Sequence, residues 1–345
     1  GRLIAGIFGG TRRGWYVCAG ILMGARRCSA MVGVLRGMKA RFCFILFAAV
    51  LCGGAGADGM FSVENHVSVG MRHQSLAESV FYASAKISEI RWQPDIVPSV
   101  TDELVFGVSR VRFSFGFSTA IPVKTGIVED RDWLFSGSSA LSNYSRHENY
   151  VDKDYRIYGT AAYAAPALFG RLFIRAGLGV RYDNEKYAAK NGYYQYPSGN
   201  RPVDSSTKKT YLCGTGMTYE VSAFMPFCFV DARVRIDERH SCFLSFDCFP
   251  YMIVDATDTH IMRLIEFYDS MRGGFGFKVA TGYACRLTKQ IALELSLSYS
   301  LLEISGTSSS RTIGDYAAFE RESGVRGGLK KSCGELQVGF SYRLY

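Results

Sequence analysis

The feature that most constrains the fold of this 345-residue chain is the strict alternation of apolar and polar side chains over long segments. Successive side chains of a β-strand point to opposite faces, so this pattern predicts strands with one apolar and one polar face. From Ile291 to Leu301 every second residue is apolar, and Glu294 and three serines lie between them. The same alternation recurs in three further segments, 110–117, 171–182 and 274–283.

Alternation alone does not separate a membrane barrel from a soluble β-sandwich. Four observations favour the barrel. The strands approach the roughly 9–11 residues that a tilted strand needs to cross a bilayer. Many polar faces combine charged residues with Gly or Ser, as a polar lumen requires. Every tyrosine except Tyr16 follows residue 57, and membrane barrels need such aromatic residues for their interface girdles. The chain also ends in an alternating strand, 338–345, with a terminal aromatic residue.

We therefore predict an all-β fold, a transmembrane antiparallel β-barrel of about ten strands with long extracellular loops. A secreted β-sandwich is the alternative. The stretches without alternation are rich in Gly, Ser, Asn and charged residues, and we predict that they are loops. These predicted loops are 121–152, 188–209, 255–261 and 303–333.

The first 57 residues differ in charge from the rest of the chain. They carry eight of the 40 basic residues and no acid, which leaves 32 basic against 31 acidic residues in the remainder. The basic pI of the whole chain is therefore no argument for a nucleic-acid partner, and none is expected.

Residues 38–57 have the three parts of a secretory signal peptide. Met38 begins a short basic segment, residues 42–52 are an apolar run, and residues 55–57 end in an Ala-x-Ala pattern. The run of eleven residues is too short for a membrane-spanning helix. Residues 1–37 are then an upstream basic extension from a mis-called translation start, or alternatively a genuine membrane-active segment. Residues 58–345 are expected to form one barrel domain.

Two short motifs place ionisable residues two positions apart, Asp130-x-Asp132 and Asp258-x-His260. Both motifs lie where a long strand gives way to a predicted loop. On a strand, residues at i and i+2 share a face, so each motif would form a side-chain pair. A histidine beside a carboxylate is a base poised near neutral pH, and a water held between the two pairs can become a nucleophile. A solvated loop or a calcium site is the alternative for the aspartates, and an ordinary surface pair is the alternative for Asp258 and His260.

The order of these motifs resembles that of the omptins, ten-stranded outer-membrane barrels that cleave peptide bonds at the cell-facing rim. The resemblance extends over residues 62–345. The matching segments are Asp130-Arg131-Asp132-Trp133, Ser145-Arg146-His147, Asp258-Thr259-His260, and Glu78 on the first strand.

The resemblance implies an endopeptidase that uses a water nucleophile, with no metal and no diffusible cofactor. His260 would be the general base, and Asp258 would orient its ring and stabilise the imidazolium. Asp130 and Asp132 would hold and polarise the attacking water from the other side.

The resemblance also implies a substrate pocket and supporting residues. Glu78 would attract Lys or Arg side chains, so peptide or host-protein substrates would be cleaved at or near basic residues. Omptins have a second acid two residues before the Asp-x-His pair, whereas this chain has Ala256, and Asp255 would point to the other face. Basic specificity is therefore expected to be weaker or altered. Ser145 and His147 are assigned a supporting role.

Omptins bind lipopolysaccharide on their outer wall and need it for activity. Tyr182 and Lys186 match part of one lipid-binding segment, but the other basic ligands are not found. The alternatives are therefore an activating outer-membrane lipid, a different lipid, or none. The barrel is expected to be a monomer whose active site faces the cell exterior. The six cysteines after residue 57 have no zinc-site spacing, and their disulfide state is left open.

The alternative function is a catalytically silent barrel that acts as an adhesin or host-protein binder. A passive porin is disfavoured, because ten strands leave a narrow lumen that side chains fill.

Overall fold

The computed structural model describes residues 61–135, 138–197, 201–313, 319–320 and 324–344. The predicted signal peptide and upstream extension lie outside the described residues. Within the described residues the chain forms fifteen strands and no helix. None of the described segments is therefore a helix that could span a membrane. The strands are β1 Phe61–Tyr82, β2 Ala85–Gln93, β3 Val97–Val108, β4 Val111–Ala120, β5 Val123–Asp132, β6 Asn143–Ala164, β7 Leu172–Gln195, β8 Thr210–Tyr211, β9 Thr215–Arg235, β10 His240–Phe249, β11 Met252–His260, β12 Ile265–Gly273, β13 Phe275–Arg286, β14 Ile291–Thr312 and β15 Val325–Arg343.

These strands close into an antiparallel barrel. The ladder closes because β1 pairs with β15 as well as with β2 and β3. Short breaks divide four of the long barrel strands into two segments each, namely β2/β3, β4/β5, β10/β11 and β12/β13. Counted in this way the described residues form a ring of about ten long strands, which confirms the predicted all-β barrel.

The strands are longer than the sequence predicted, and the predicted loops are wrong in part. β5 and the first residues of β6, 143–152, lie within the predicted loop 121–152. The end of β11 lies within the predicted loop 255–261. β14 continues to Thr312 and β15 begins at Val325, both inside the predicted loop 303–333. The reason is that these parts carry polar residues on both faces. On β14 the outward positions change from apolar up to Leu301 to polar from Glu303 onward, so the alternation that marked the strand disappears.

The outer surface carries a belt of exposed apolar side chains near the end of the barrel where β1 begins and β15 ends. Such a belt is what a bilayer-spanning barrel presents to lipid. The strands continue well beyond this belt toward the opposite end, where their outer faces are polar. The belt includes Val67, Val69, Met71, Phe113, Phe115, Phe117, Leu178, Val180, Leu244, Phe246, Leu295, Leu297, Leu336, Val338 and Phe340.

We call the end of the barrel opposite the belt the upper end. A layer of buried charged side chains crosses the lumen at the edge of the belt nearest that end. Arg72 donates from Nε to Glu335 Oε1 and from Nη1 to Asp154 Oδ2, each at 2.8 Å. Gln74 donates to the same Asp154 oxygen at 3.0 Å, and Arg156 donates to Glu335 Oε2 at 3.3 Å. This charged layer fills the lumen below the upper part of the barrel and ties β1, β6 and β15 together across it.

We expect Arg72→Ala to destabilise the barrel by about 3–5 kcal/mol, because it removes the ion-pair partner of buried Asp154 and leaves Glu335 with Arg156 alone. The measurement is denaturant unfolding of the refolded barrel in detergent. The matched control is Lys330→Ala, which removes an exposed lysine 3.4 Å from exposed Glu303 and should leave the midpoint unchanged. Equal midpoints for the two variants would show that the charged layer does not stabilise the fold.

Candidate active site

The two predicted motifs lie at strand ends, on the inner face and at the end of the barrel beyond the apolar belt. On β5 the buried residues are Val128, Asp130 and Asp132, and on β11 the last two are Asp258 and His260. The two-residue spacing therefore directs both members of each pair into the lumen, as a strand must. We call this inner surface the mouth.

Asp258 and His260 are in direct contact. The His260 Nε2 and Asp258 Oδ2 atoms are 2.5 Å apart, so the ring donates its Nε2 proton to the carboxylate. This leaves Nδ1 as the nitrogen that can accept a proton. The edge of the Phe267 ring packs against the imidazole with 5.5 Å between the centroids. Burial disfavours the charged imidazolium, but the carboxylates of Asp258 and Asp130 outweigh it and raise the pKa of His260.

Asp130 and Asp132 differ in their surroundings although they are two residues apart. Asp132 accepts a hydrogen bond from Asn143 Nδ2 at 2.9 Å. Asp130 Oδ1 is buried and has no hydrogen-bond partner among the described residues. Burial and the nearby Asp132 raise the pKa of Asp130 to about 7, although His260 opposes this shift. A carboxyl group of this kind can hold or release a proton near neutral pH.

The two pairs come from strands that are not neighbours. β6, β7 and β9 separate β5 from β11 on the shorter way around the barrel. Arg263, three residues after His260, nevertheless lies 3.7 Å from Asp132, and Asp130 is among the groups that raise the pKa of His260. The two pairs therefore lie close to each other across the mouth. The arrangement can hold a small molecule such as water between a carboxylate pair and a histidine base.

Ser145 and His147 lie on β6, beside Asp130 rather than between the pairs. Ser145 is the register partner of Asp130, and its hydroxyl lies 3.0 Å from His147 Nε2. The other ring nitrogen, Nδ1, lies 2.5 Å from the Asn191 carbonyl oxygen and donates to it. Burial lowers the pKa of His147, which favours the neutral ring. Both ring nitrogens have partners within the barrel.

Glu78 lies on β1 with its side chain in the mouth and is 3% exposed, so it is not a surface glutamate. Its Oε2 atom has no hydrogen-bond partner among the described residues. Burial, together with the carboxylates of Asp258, Asp269 and Asp130, raises its pKa well above the ordinary value. A cation that entered this region would relieve that repulsion.

Sequence reasoning missed two charged residues of the mouth, Asp269 and Arg263. Asp269 is buried on β12, and Arg263 lies in the turn between β11 and β12. Arg263 Nη2 is 3.7 Å from Asp132 Oδ2 and donates to Tyr196 Oη at 2.6 Å. Asp269 could have been found from the short turn between His260 and Ile265, because a short turn determines which residues of the two strands pair. Residues 255–261 were predicted to be a loop, so this pairing was not considered.

Tyr182 and Lys186 lie on the outer face of β7, at and beyond the upper edge of the belt. The ring of Tyr182 packs near that of Tyr155, with the centroids 6.2 Å apart. Lys186 Nζ is 3.7 Å from Glu220, which also accepts from Lys153 Nζ at 2.6 Å. The structure therefore places a second lysine beside the two residues that the sequence singled out.

In the described part of the chain no three His, Cys, Asp or Glu side chains are arranged to hold a metal ion. All six cysteines of this part are free thiols, and Cys228 and Cys248 are register partners on β9 and β10.

Comparison with known proteins gives a family and a fold. The model of the Omptin family matches residues 60–344. Among solved structures, the crystal structure of the outer membrane protease OmpT from Escherichia coli is similar with a TM-score of 0.75. The two sequences are 14% identical, and the match covers 82% of this chain and 97% of that chain. At this identity the likeness shows the fold alone.

A second barrel among the solved structures is much less similar. The translocator domain of the autotransporter NalP from Neisseria meningitidis has a TM-score of 0.36 at 5% identity, over 89% of this chain and 96% of that chain. A search of curated protein sequences gave no match. The family match covers almost the whole barrel and includes the strands that carry both motifs of the mouth, so the chain belongs to the omptin family of outer-membrane proteases.

Proposed function

We propose that this protein is an outer-membrane endopeptidase that hydrolyses peptide bonds at or near basic residues. The observation that carries the proposal is that Asp130, Asp132, Asp258 and His260 all point into the mouth at the same end of the barrel, with His260 bonded to Asp258 at 2.5 Å. The other side of the ring is left for a water molecule. Membership of a protease family supports the same reaction.

His260 is the general base of the proposed reaction. Its Nε2–H is held by Asp258, so Nδ1 takes a proton from water as the water oxygen attacks the peptide carbonyl. Asp258 stabilises the imidazolium that forms. The C–N bond of the tetrahedral intermediate then breaks, and the same proton passes to the leaving amine. Asp130 and Asp132 hold the water from the opposite side, and Asp130 Oδ1 is the acceptor that is free for it.

The substrate is a peptide or host protein with an accessible Lys or Arg. Glu78 is buried, lacks a partner on Oε2 and lies among other carboxyl groups, so a basic side chain complements it. The mouth lies at the opposite end from the belt, where the strands carry polar residues on both faces. We assign this end to the cell exterior, and Ser145 and His147 support the carboxylate pair from β6.

The barrel is proposed to act as a monomer, with an outer-membrane lipid as its activator and no other cofactor. Lys186 and Lys153 lie on the outer surface beyond the belt, next to the aromatic rings of Tyr155 and Tyr182. Basic side chains in this position suit the phosphate groups of a lipid, with the aromatic rings beside them at the membrane interface.

We expect Asp132→Asn and His260→Gln each to lower kcat/KM on a Lys/Arg-containing peptide library by about 10²–10⁴-fold, because each removes a group that activates water. The measurement uses refolded residues 58–345 with and without outer-membrane lipid. Glu129→Gln is the matched control. It removes a carboxylate that lies on β5 beside Asp130, on the outward face next to Arg131, and should leave cleavage close to wild type.

A folded wild-type barrel that cleaves no peptide in any lipid would contradict the proposed activity. That outcome would favour the adhesin or host-protein binder instead.

The pH dependence of cleavage should reflect the raised pKa of His260. The His260 pKa lies above 6.5, so the neutral base is lost as pH falls through that raised value, and kcat/KM should decline at a pH above the ordinary range of histidine. Asp130→Asn removes a carboxylate that favours the imidazolium, so it should lower the His260 pKa. NMR titration of the imidazole measures this, with Glu129→Gln as the control. A His260 pKa that does not differ between Asp130→Asn and Glu129→Gln would show that the two pairs do not interact.

A further inference from the structure

We propose that Asp269 is a specificity-determining residue that supplies the second carboxylate of the pocket for a basic substrate side chain, from β12 instead of β11. This inference rests on the proposed function. It concerns Ala256, which stands where the omptins have a second acid. From the sequence alone, this replacement is expected to weaken basic specificity.

The strand register places Asp269 directly opposite Ala256. The two residues are partners in the β11–β12 ladder, and both side chains are buried on the inner face, at 2% exposure each. Directly opposite side chains on one face of an antiparallel pair have Cβ atoms about 4.5–5.5 Å apart. A carboxylate at 269 therefore reaches the space that an acid at 256 would occupy.

The adjacent acid on β11 cannot take this role. Asp255 points to the outer face, where its carboxylate accepts from Ser270 Oγ at 3.1 Å and from Arg272 Nη2 at 3.2 Å. The two carboxylates are therefore on opposite sides of the barrel wall, and only Asp269 faces the mouth.

The surroundings of Asp269 make room for its carboxylate. A Cβ atom added at Gly327 on β15 would lie 2.5–2.6 Å from the three carboxyl atoms of Asp269, so only glycine leaves that space open. Burial raises the pKa of Asp269 to about 6, and Ser308, its register partner on β14, opposes that shift. The carboxyl group therefore lies between Ser308 on β14 and the glycine on β15 that leaves it room.

Two acids of this part of the mouth, Glu78 and Asp269, form no ion pair with another described residue. Glu78 Oε2, Asp258 Oδ1 and Asp269 Oδ1 are buried and have no hydrogen-bond partner among the described residues. The nearby cationic groups are committed elsewhere, because His260 bonds to Asp258 and Arg263 lies beside Asp132. Burial and the carboxylates of Asp258 and Asp269 raise the pKa of Glu78, and the ammonium of Lys or the guanidinium of Arg would offset that unfavourable charge.

The test compares matched peptides that carry Arg, Lys, citrulline or norleucine before the scissile bond. Citrulline has the shape of arginine without its charge. We expect Asp269→Asn to lower the preference for Arg over citrulline by about 10- to 100-fold in kcat/KM, since it removes one charge-assisted hydrogen bond. Cleavage of the citrulline peptide should be unchanged, which separates lost specificity from lost folding.

Two variants sharpen the result. Asp255→Asn removes the neighbouring outward carboxylate and should leave the Arg preference at the wild-type value. Asp269→Asn combined with Ala256→Asp returns the carboxylate to β11 and should restore most of the preference. If Asp269→Asn does not fold, Gly327→Ala displaces the carboxylate and should lower the Arg preference in the same direction.

Peptide binding to His260→Ala separates this inference from the proposed catalysis. If the wild type cleaves nothing but His260→Ala binds the Arg peptide more tightly than the citrulline peptide, and Asp269→Asn removes that difference, the pocket stands and the proposed activity fails. An Arg preference that persists unchanged in folded Asp269→Asn, in cleavage or in binding, would overturn the assignment of Asp269.

Discussion

The rest of the structure depends on closure of the antiparallel ladder between β1 and β15. Closure satisfies the backbone hydrogen-bonding groups without an edge and divides every strand into an inner and an outer face. Apolar residues on the outer face form the belt around one end. The inner face can then carry charged groups along its length, and at the upper edge of the belt these form the layer around Arg72.

The same closure explains how two short motifs on distant strands come together in one site. β5 and β11 are distant around the ring, yet their inner faces meet across the narrow lumen at the same end. The mouth collects more carboxylates than cations. Glu78, Asp130 and Asp269 come from three different strands, and each has a buried carboxyl oxygen without a hydrogen-bond partner among the described residues. In these surroundings the pKa of His260 is raised, and the proposed positively charged substrate group would be favoured.

Much of this could be predicted from local pattern. The i and i+2 spacing of Asp130 with Asp132, and of Asp258 with His260, determines which side chains share a face of a strand, whatever the partner strands are. The predicted loops failed because the upper strands are wetted on both sides, so hydrophobic alternation, the signal of a half-buried strand, is absent there. Backbone pairing in a closed ladder keeps those segments extended all the same.

The sequence by itself determined the barrel, the belt and the facing of each motif, because these follow from a period of two residues. Only the tertiary structure decided which groups meet. The register across the β11–β12 turn brings Asp269 opposite Ala256, and the turn itself brings Arg263 to Asp132. Register and proximity across a lumen depend on turn lengths and on the closure of the whole ring, and neither is written in the alternation of a single strand.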